Sequence, residues 1–321
     1  MGVKRFLRYG FDPQTVSYVK RVCGHPLESV FRLFRQLSKD DELEQRQLLQ
    51  NLALGLPDRV ARAYCRELEF LAAFPRKEYA LFPYAVIREP TPVRAEMDRA
   101  LKMPFVVHRN YRFYFPADTT EQELERSYRY FVDEEGILGN GWLEKSPHSY
   151  TDRDFKVEFG DVVVDIGCSD GLFSLENIEW AEKVYLIESW SRWKPALEAT
   201  FGPFKDKVVI LDKFVSNKTW GGEIRLEDAL AGEKDAHFFI KMDIEGGERT
   251  VLDASRDFFL KNRVKLSCCV YHRQDDAEWI SRFLQELGYH TRFSDGYMLP
   301  LFNGVQFPYF RHGVVYAWND L

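Results

Sequence analysis

From residue 155 onward the chain alternates short apolar, β-branched runs with segments of helical length, and this pattern limits its fold more than any other feature. "KVEF", "VVVDI", "KVYLIE", "KVVIL", "FFIKMD" and "VKLSCCVY" read as strands. Segments opening near Gly171, Trp190, Gly247 and Asp275 read as helices. Parallel neighbours need a crossover of a dozen or more residues, and a helix is its usual form. The alternation therefore predicts an α/β fold, a mainly parallel sheet with helices on both faces. Gly288 stands where a glycine closes the last of these helices. Beyond it, "YHTRF", "YMLPLF" and "GVVYAW" read as strands with no helix between them, so the sheet is expected to end in an antiparallel hairpin.

Upstream the pattern differs. Residues 14–75 read as helical, with Leu27, Val30, Phe31, Phe34 and Leu37 at helical spacing. Pro57 suits the first turn of a further helix that places Val60, Ala61, Tyr64, Leu68 and Leu71 on one face and stops at Phe74–Pro75. Residues 76–103 are punctuated by prolines and read as an irregular linker or wrapping arm. "PFVVH" and "YRFYF" are short β-like runs. Thr120 and Glu123 form a capping box ahead of Leu124, Tyr128 and Phe131, and Gly136 ends that helix. The glycine- and aromatic-rich loop that follows is expected to reach over a cleft. Three regions result: a mainly helical 1–103, a connecting segment with its loop at 104–150, and the ligand-binding α/β domain at 151–321. The N-terminal region is expected either to cover the cleft or to mediate self-association into a homo-oligomer.

Composition narrows the function. The 321 residues are 45% hydrophobic and 29% charged, as in soluble globular proteins. A net charge of -6 argues against nucleic acid as a main partner, since phosphate binding wants a basic surface. No apolar run approaches the ~20 residues a membrane helix needs. "MGVKRFLRYGFDPQ" has no secretory apolar core. Five cysteines without a CxxC spacing fit reduced thiols, and a cytoplasmic location is expected.

The first strand–helix junction, "VVVDIGCSDGLFS", carries the chemistry. A buried strand delivers Asp165 to its C-terminal end, and Gly167 and Gly171 allow a tight turn close to a ligand. Open α/β sheets bind ligands at this edge. A dinucleotide site would show G-x-G-x-x-G, whereas here the spacing is Gly167-x-x-x-Gly171 with acids at Asp165 and Asp170. Those acids would repel a pyrophosphate and suit a ligand with an ammonium or sulfonium, as in S-adenosylmethionine. Glu188, ending the second strand, can accept both hydroxyls of a ribose. Each piece alone has a plainer reading as a turn or a solvated strand end; it is their combination that points to a nucleotide-type site.

The segments "DIGCSDGLFSL", "YLIES", "VSN", "LEDAL" and "FIKMDIEGGE" resemble, in that order, the landmarks of the FkbM-type methyltransferases, across residues 160 to about 295. The chain departs from the family pattern at Cys168-Ser169-Asp170, at Gly247 and at Glu227. The resemblance implies a class I, Rossmann-like O-methyltransferase using S-adenosylmethionine, with a small-molecule or saccharide hydroxyl as acceptor. By position it implies that Asp165, Gly167 and Gly171, with the intervening Cys168, Ser169 and Asp170, line the methionine part of the cofactor. It implies further that Glu188 binds the ribose, that Asp212 to Phe214 (Lys213 among them) lie near the adenine, and that Asp243 lies near the methyl end.

Methyl transfer to a hydroxyl needs alignment and loss of a proton. Asp243 ends the fourth strand and His272 the fifth, so His272 is the expected base, with His148 and Tyr150 able to reach the same cleft. A divalent metal on Asp243, Glu245 and His272 is the alternative use of these residues. The plainer readings are a structurally satisfied His272, helix-dipole stabilisation by Glu248, capping by Glu245, and pairing of Lys241 with an acid. Asp275 or Asp276 reads as a helix N-cap, and Cys268–Cys269 as packing. Trp190, Trp193 and Trp220 could stack on a ligand or simply pack. Two other functions remain open, a nicotinamide-dependent oxidoreductase and a non-catalytic binding protein on the same fold.

Overall fold

The computed structural model describes residues 49–73, 92–134, 146–300 and 306–321. The helix expected before residue 49, the Phe74–Pro75 stop and Gly136 lie outside the described residues. Residues 49–54 are helical; a single turn Asp58–Ala61, entered through Pro57, and helix α1 (Cys65–Ala73) follow. The face anticipated from sequence is the packed one: Val60, Ala61, Tyr64, Leu68 and Leu71 meet Leu299, Tyr309 and Phe310.

Strands β1 (Glu96–Asp98), β2 (Met103–His108) and β3 (Tyr111–Tyr114) form a small antiparallel sheet. β2 and β3 were read in sequence as short β-like runs, whereas β1 falls in the stretch read as irregular. "EMD" has neither alternation nor a β-branched residue, so only pairing with β2 makes it a strand. Helix α2 (Glu121–Arg129) opens with the expected capping box: Glu123 N donates to Thr120 Oγ1 at 3.2 Å, and Thr120 N to Glu123 Oε2 at 2.9 Å. It passes into a π-helical turn at Tyr130–Glu134.

The main sheet is built from β4 (Val162–Ile166), β5 (Lys183–Glu188), β6 (Val208–Asp212), β9 (His237–Met242), β10 (Arg263–Cys269), β11 (His290–Phe293) and β12 (Val314–Trp318), with a separate two-stranded pair β7 (Phe214–Val215) and β8 (Glu223–Ile224). The order is β11-β12-β10-β9-β4-β5-β6; β10 through β6 run parallel, and β12 pairs antiparallel with both β10 and β11. The expected terminal hairpin is thus present. Strand order reverses between β4 and β9, the switch point where such sheets open a crevice. Two expected strands are not there. Residues 156–158 have no regular structure and a turn follows at 159–160, where Glu158 N donates to Asp161 Oδ2 at 2.8 Å and Phe159 is 82% exposed. In "YMLPLF", whose last two residues lie outside the described residues, only Met298 among 297–300 makes a bridge, to Arg311.

Crossovers are helices α3 (Leu172–Asn177), α4 (Lys194–Phe201), α5 (Leu226–Ala229), α6 (Glu248–Ala254), α7 (Arg256–Lys261) and α8 (Asp276–Glu286). The alternation along β4 divides the core. Val162, Val164 and Ile166 face a cluster with Val251, Phe259 and Leu284 from α6, α7 and α8. Val163 faces the other, which joins Phe173 and Phe201 of α3 and α4 to Phe113, Leu124 and Tyr128. Residues 104–134 therefore pack as an outer layer on one face of the sheet. Among the described residues no helix is long and apolar enough to cross a membrane.

The turn after β4 has no room for a side chain. Gly167 sits at φ +71°, and a Cβ there would lie 1.9 Å from the Asp243 carbonyl oxygen. Gly167→Ala combines left-handed strain with a backbone clash, so we expect a loss of at least about 2 kcal/mol in chemical denaturation. Unchanged stability would mean that the β4 and β9 ends are not held this close together.

Candidate active site

The ends of the parallel strands converge on a cavity of about 560 Å³. The glycine turn supplies Gly167, Cys168, Ser169 and Asp170; β5 supplies Glu188; the segment after β6 supplies Lys213 and Phe214. The end of β9 supplies Asp243 and Glu245, and His148, Tyr150, Tyr271 and Met298 complete the far wall with Tyr130 and Phe131. Asp165, Gly171, Asp212 and His272, expected at the site, are not among the lining residues.

Asp165 alternates with Val164 and Ile166 and so points away from the strand end, into the core beneath the turn. Lys241 is its cross-strand partner on β9. The ammonium lies 3.1 Å from Asp165 Oδ1 and donates to the Gly167 carbonyl at 2.5 Å, while Ser174 Oγ donates to Asp165 Oδ2 at 2.8 Å. The carboxylate expected on the cofactor is thus committed to holding the turn that would hold the cofactor. Burial alone would lower the Lys241 pKa, yet Asp165 and Asp243 keep it above its ordinary value.

Glu188 is pre-positioned by two backbone donors, Ser169 N to Oε2 at 2.9 Å and Trp190 N to Oε1 at 2.7 Å. Each carboxylate oxygen retains capacity for a second donor. Asp170 accepts from Leu172 N at 2.8 Å, and its recessed setting raises its carboxyl to about 6. Gly171, at φ +82°, has Leu197 and Phe201 2.9 Å from where a Cβ would be. Asp212 is exposed at the end of β6, while Lys213 turns inward and donates Nζ to the Gly221 carbonyl at 2.6 Å. Trp190 lines the cavity mouth at 58% exposure; Trp193 is core against Phe115, and Trp220 is 80% exposed.

Asp243 is the centre of the far wall. Tyr150 donates its hydroxyl to Oδ2 at 2.7 Å, and the Tyr271 hydroxyl lies 3.4 Å from both oxygens. His148 Nε2 lies 3.1 Å from the Tyr150 hydroxyl and 3.7 Å from Asp243 Oδ2; His272 Nε2 lies 3.4 Å from Oδ1. Burial would raise the Asp243 pKa, but His148, Lys241 and His272 more than offset it and hold the group well below the usual carboxylate range.

His272 is 1% exposed and sits behind Asp243 rather than on the cavity wall. Its Nδ1 is 3.0 Å from Glu248 Oε1, and Nε2 is 3.6 Å from Glu245 Oε2. Burial opposes its charging, but Glu248, Asp243 and Glu245 together raise its pKa, so the imidazolium is favoured. In place of the expected base on the cavity wall, the structure has an imidazole buried beside Asp243, Glu245 and Glu248. The physical reason lies in Glu248, whose first-turn position was read as dipole stabilisation. It is 1% exposed, and its Oε1 also accepts from Ile244 N at 3.0 Å. Tyr271, Met298, Tyr130 and Phe131 gave no sequence signal as wall residues, because their places depend on packing between distant segments.

Among the described residues two trios bring ligand-type atoms within 4.8 Å of one another: His148, Asp243, Cys269 and Asp243, Glu248, His272. Glu245 belongs to neither, so the metal set read from sequence is not assembled. Cys168, Cys268 and Cys269 are buried thiols with pKa values pushed well up by burial. They fit the packing role read for Cys268 and Cys269.

No family model matches the sequence, and no curated protein matches it. Among solved structures, the methyltransferase FkbM from Methylobacillus flagellatus KT is 20% identical over 50% of this chain and 44% of its own, at a TM-score of 0.40. A precorrin-6y C5,15-methyltransferase from Geobacter metallireducens GS-15 is 15% identical over 51% of this chain and 84% of its own, at 0.34. A putative RNA methyltransferase from Pyrococcus horikoshii is 20% identical over 50% and 74%, at 0.29. This chain thus spans under half the length of the FkbM structure.

The Asp170 setting has a testable pH signature. A carboxyl raised to about 6 in the folded chain, against ~3.9 when unfolded, weakens the fold most once it is ionised. Asp170→Asn should therefore increase stability above about pH 6, with the gain fading to nothing below about pH 4. Denaturant midpoints across that range check it; a gain independent of pH would refute the assignment.

Proposed function

We propose that the chain is an S-adenosylmethionine-dependent methyltransferase acting on a hydroxyl of a small molecule or saccharide. The observation that carries this reading is the pairing of a glycine turn too tight for a Cβ with a Glu188 carboxylate held by two backbone donors at the next strand end. That is a preorganised place for a ribose beside a close backbone approach. Asp170 stands where an ammonium would be neutralised, and Lys213 and Phe214, with Trp190 at the mouth, border the cavity where the adenine would lie. When bound, S-adenosylmethionine supplies a methyl group activated on a sulfonium.

The chain's own residues would act on the acceptor. Asp243, kept ionised, orients the Tyr150 and Tyr271 hydroxyls and draws His148 toward the cavity. His148 is the imidazole on the wall and takes the acceptor proton as the oxygen–methyl bond forms. His272 serves behind it, holding Asp243 in place. This assigns the base to His148 rather than His272, on the ground that only His148 lines the cavity.

Calorimetric titration tests the cofactor. S-adenosylhomocysteine should bind and NADH should not, and Glu188→Ala should weaken binding at least about tenfold, the scale of one lost charge-assisted bond pair. NADH binding with no response to S-adenosylhomocysteine would favour the oxidoreductase reading, and binding of neither would favour a non-catalytic protein. In a labelled-methyl assay against polar small-molecule extracts, His148→Gln should lower turnover by roughly 10²-fold or more while leaving S-adenosylhomocysteine affinity within about twofold. Wild-type turnover would remove His148 from the chemistry.

A further inference from the structure

We propose that Arg311 is the positioning residue for the acceptor wall of the cavity: its guanidinium holds the Tyr271–His272 turn against Asp243 while its main chain fixes Met298. The β10–β12 ladder ends at Cys269 opposite Val314, and Val270 N still bonds the Gly313 carbonyl. Past that point the carbonyls of Tyr271 and His272 lie beyond the ladder. Arg311, 5% exposed, reaches back to them: Nη1 donates to Tyr271 O at 2.7 Å and to His272 O at 3.1 Å, and Nε donates to Gln274 Oε1 at 3.0 Å. The Arg311 amide and carbonyl bond reciprocally to Met298 at 2.9 and 2.8 Å. One residue therefore joins three parts of the wall. Tyr271 and Met298 line the cavity, and His272 backs Asp243.

The choice of arginine fits the task. A planar fork donates from Nη1 to two successive carbonyls and from Nε to a side-chain amide, whereas a lysine would have to serve all three from one nitrogen. Burial lowers the Arg311 pKa to about 10, so it remains charged at neutral pH. Keeping a buried charge where an aliphatic side chain would be cheaper to bury points to geometry rather than stability as what it provides. The groups facing His272 are Asp243 at the end of β9, Glu245 in the following turn and Glu248 on α6. Its distance from them depends on where Arg311 holds the turn.

The proposal rests on the methyl-transfer reading for the word acceptor, but its test does not. In the ligand-free protein the His272 imidazole is titrated by NMR, with the signal assigned through His272→Gln. Arg311→Lys keeps the charge and loses the fork. Its His272 pKa should fall by roughly half a pH unit or more, a threefold change in proton affinity. An unchanged His272 pKa in a folded Arg311→Lys protein overturns the proposal. If Arg311→Lys does not fold, Gln274→Ala, which frees one of the three anchors, is read the same way: a fall supports the proposal and no shift overturns it. Failure of S-adenosylhomocysteine to bind the wild-type protein would sink the methyltransferase reading and leave the imidazole titration standing.

Discussion

The ammonium of Lys241 is the contact on which the site depends. It lies within the sheet, between two parallel strands, and joins three things that a ligand pocket needs in fixed relation: the Asp165 side chain, the Gly167 carbonyl and the end of β9. A buried ion pair is not in itself a strong source of stability, because desolvating both charges offsets most of their attraction. Its effect is specificity of shape. Losing either partner would strand the other charge in the core, so the strands are held in register and the turn above them is held closed. The same positive charge then helps keep Asp243 ionised one step further along β9.

From that point the far wall is organised as an alternation of charge. Lys241 near the end of β9, then Asp243, then His272, then Glu248 in the first turn of α6, alternate basic and acidic groups. Each group is buried or nearly so and each is compensated by the next. Such a chain tolerates removal of its members poorly, and the carboxylates around His272 are what raise its pKa against the opposing effect of burial. Tyr150, Tyr271 and His148 join Lys241 and Asp243 in the wall that meets the cavity, with His272 and Glu248 behind it.

How much of this was readable follows from how local each feature is. The parallel sheet, its terminal hairpin and the α2 capping box rest on periodicity and short-range chemistry, and sequence shows them. The Gly167–Gly171 turn and Glu188 are local too, since each belongs to one strand end. "KVEF" shows the limit of pattern, because its alternation is real but Asp161 and Gly160 turn the chain before it can pair. β1 shows the converse, a strand made by its partner with nothing in "EMD" to announce it. The role of Asp165 was misread for a related reason. Its position before the turn suggested the ligand, while the side-chain parity of a strand sends it to the core, where only the β4–β9 register reveals Lys241.

The two halves of the cavity therefore differ in kind. The cofactor half is written in consecutive residues at β4, β5 and β6, where a glycine or a carboxylate at a strand end has a place fixed by the fold. The acceptor half draws on Tyr130 and Phe131 after α2, on His148 and Tyr150 before the sheet, and on Met298 between the last two strands. These segments are far apart in sequence and are joined by packing and by bonds such as Ser294 Oγ to the Pro147 carbonyl, the Tyr316 hydroxyl to the Ser149 carbonyl and the Arg311–Met298 pair. A change in any of their packing partners would reshape that wall without touching the cofactor motif. On the proposed reading such an arrangement would let one cofactor chemistry serve different acceptors, because the glycine turn and Glu188 are set by the fold while the opposite wall is set by packing between distant segments.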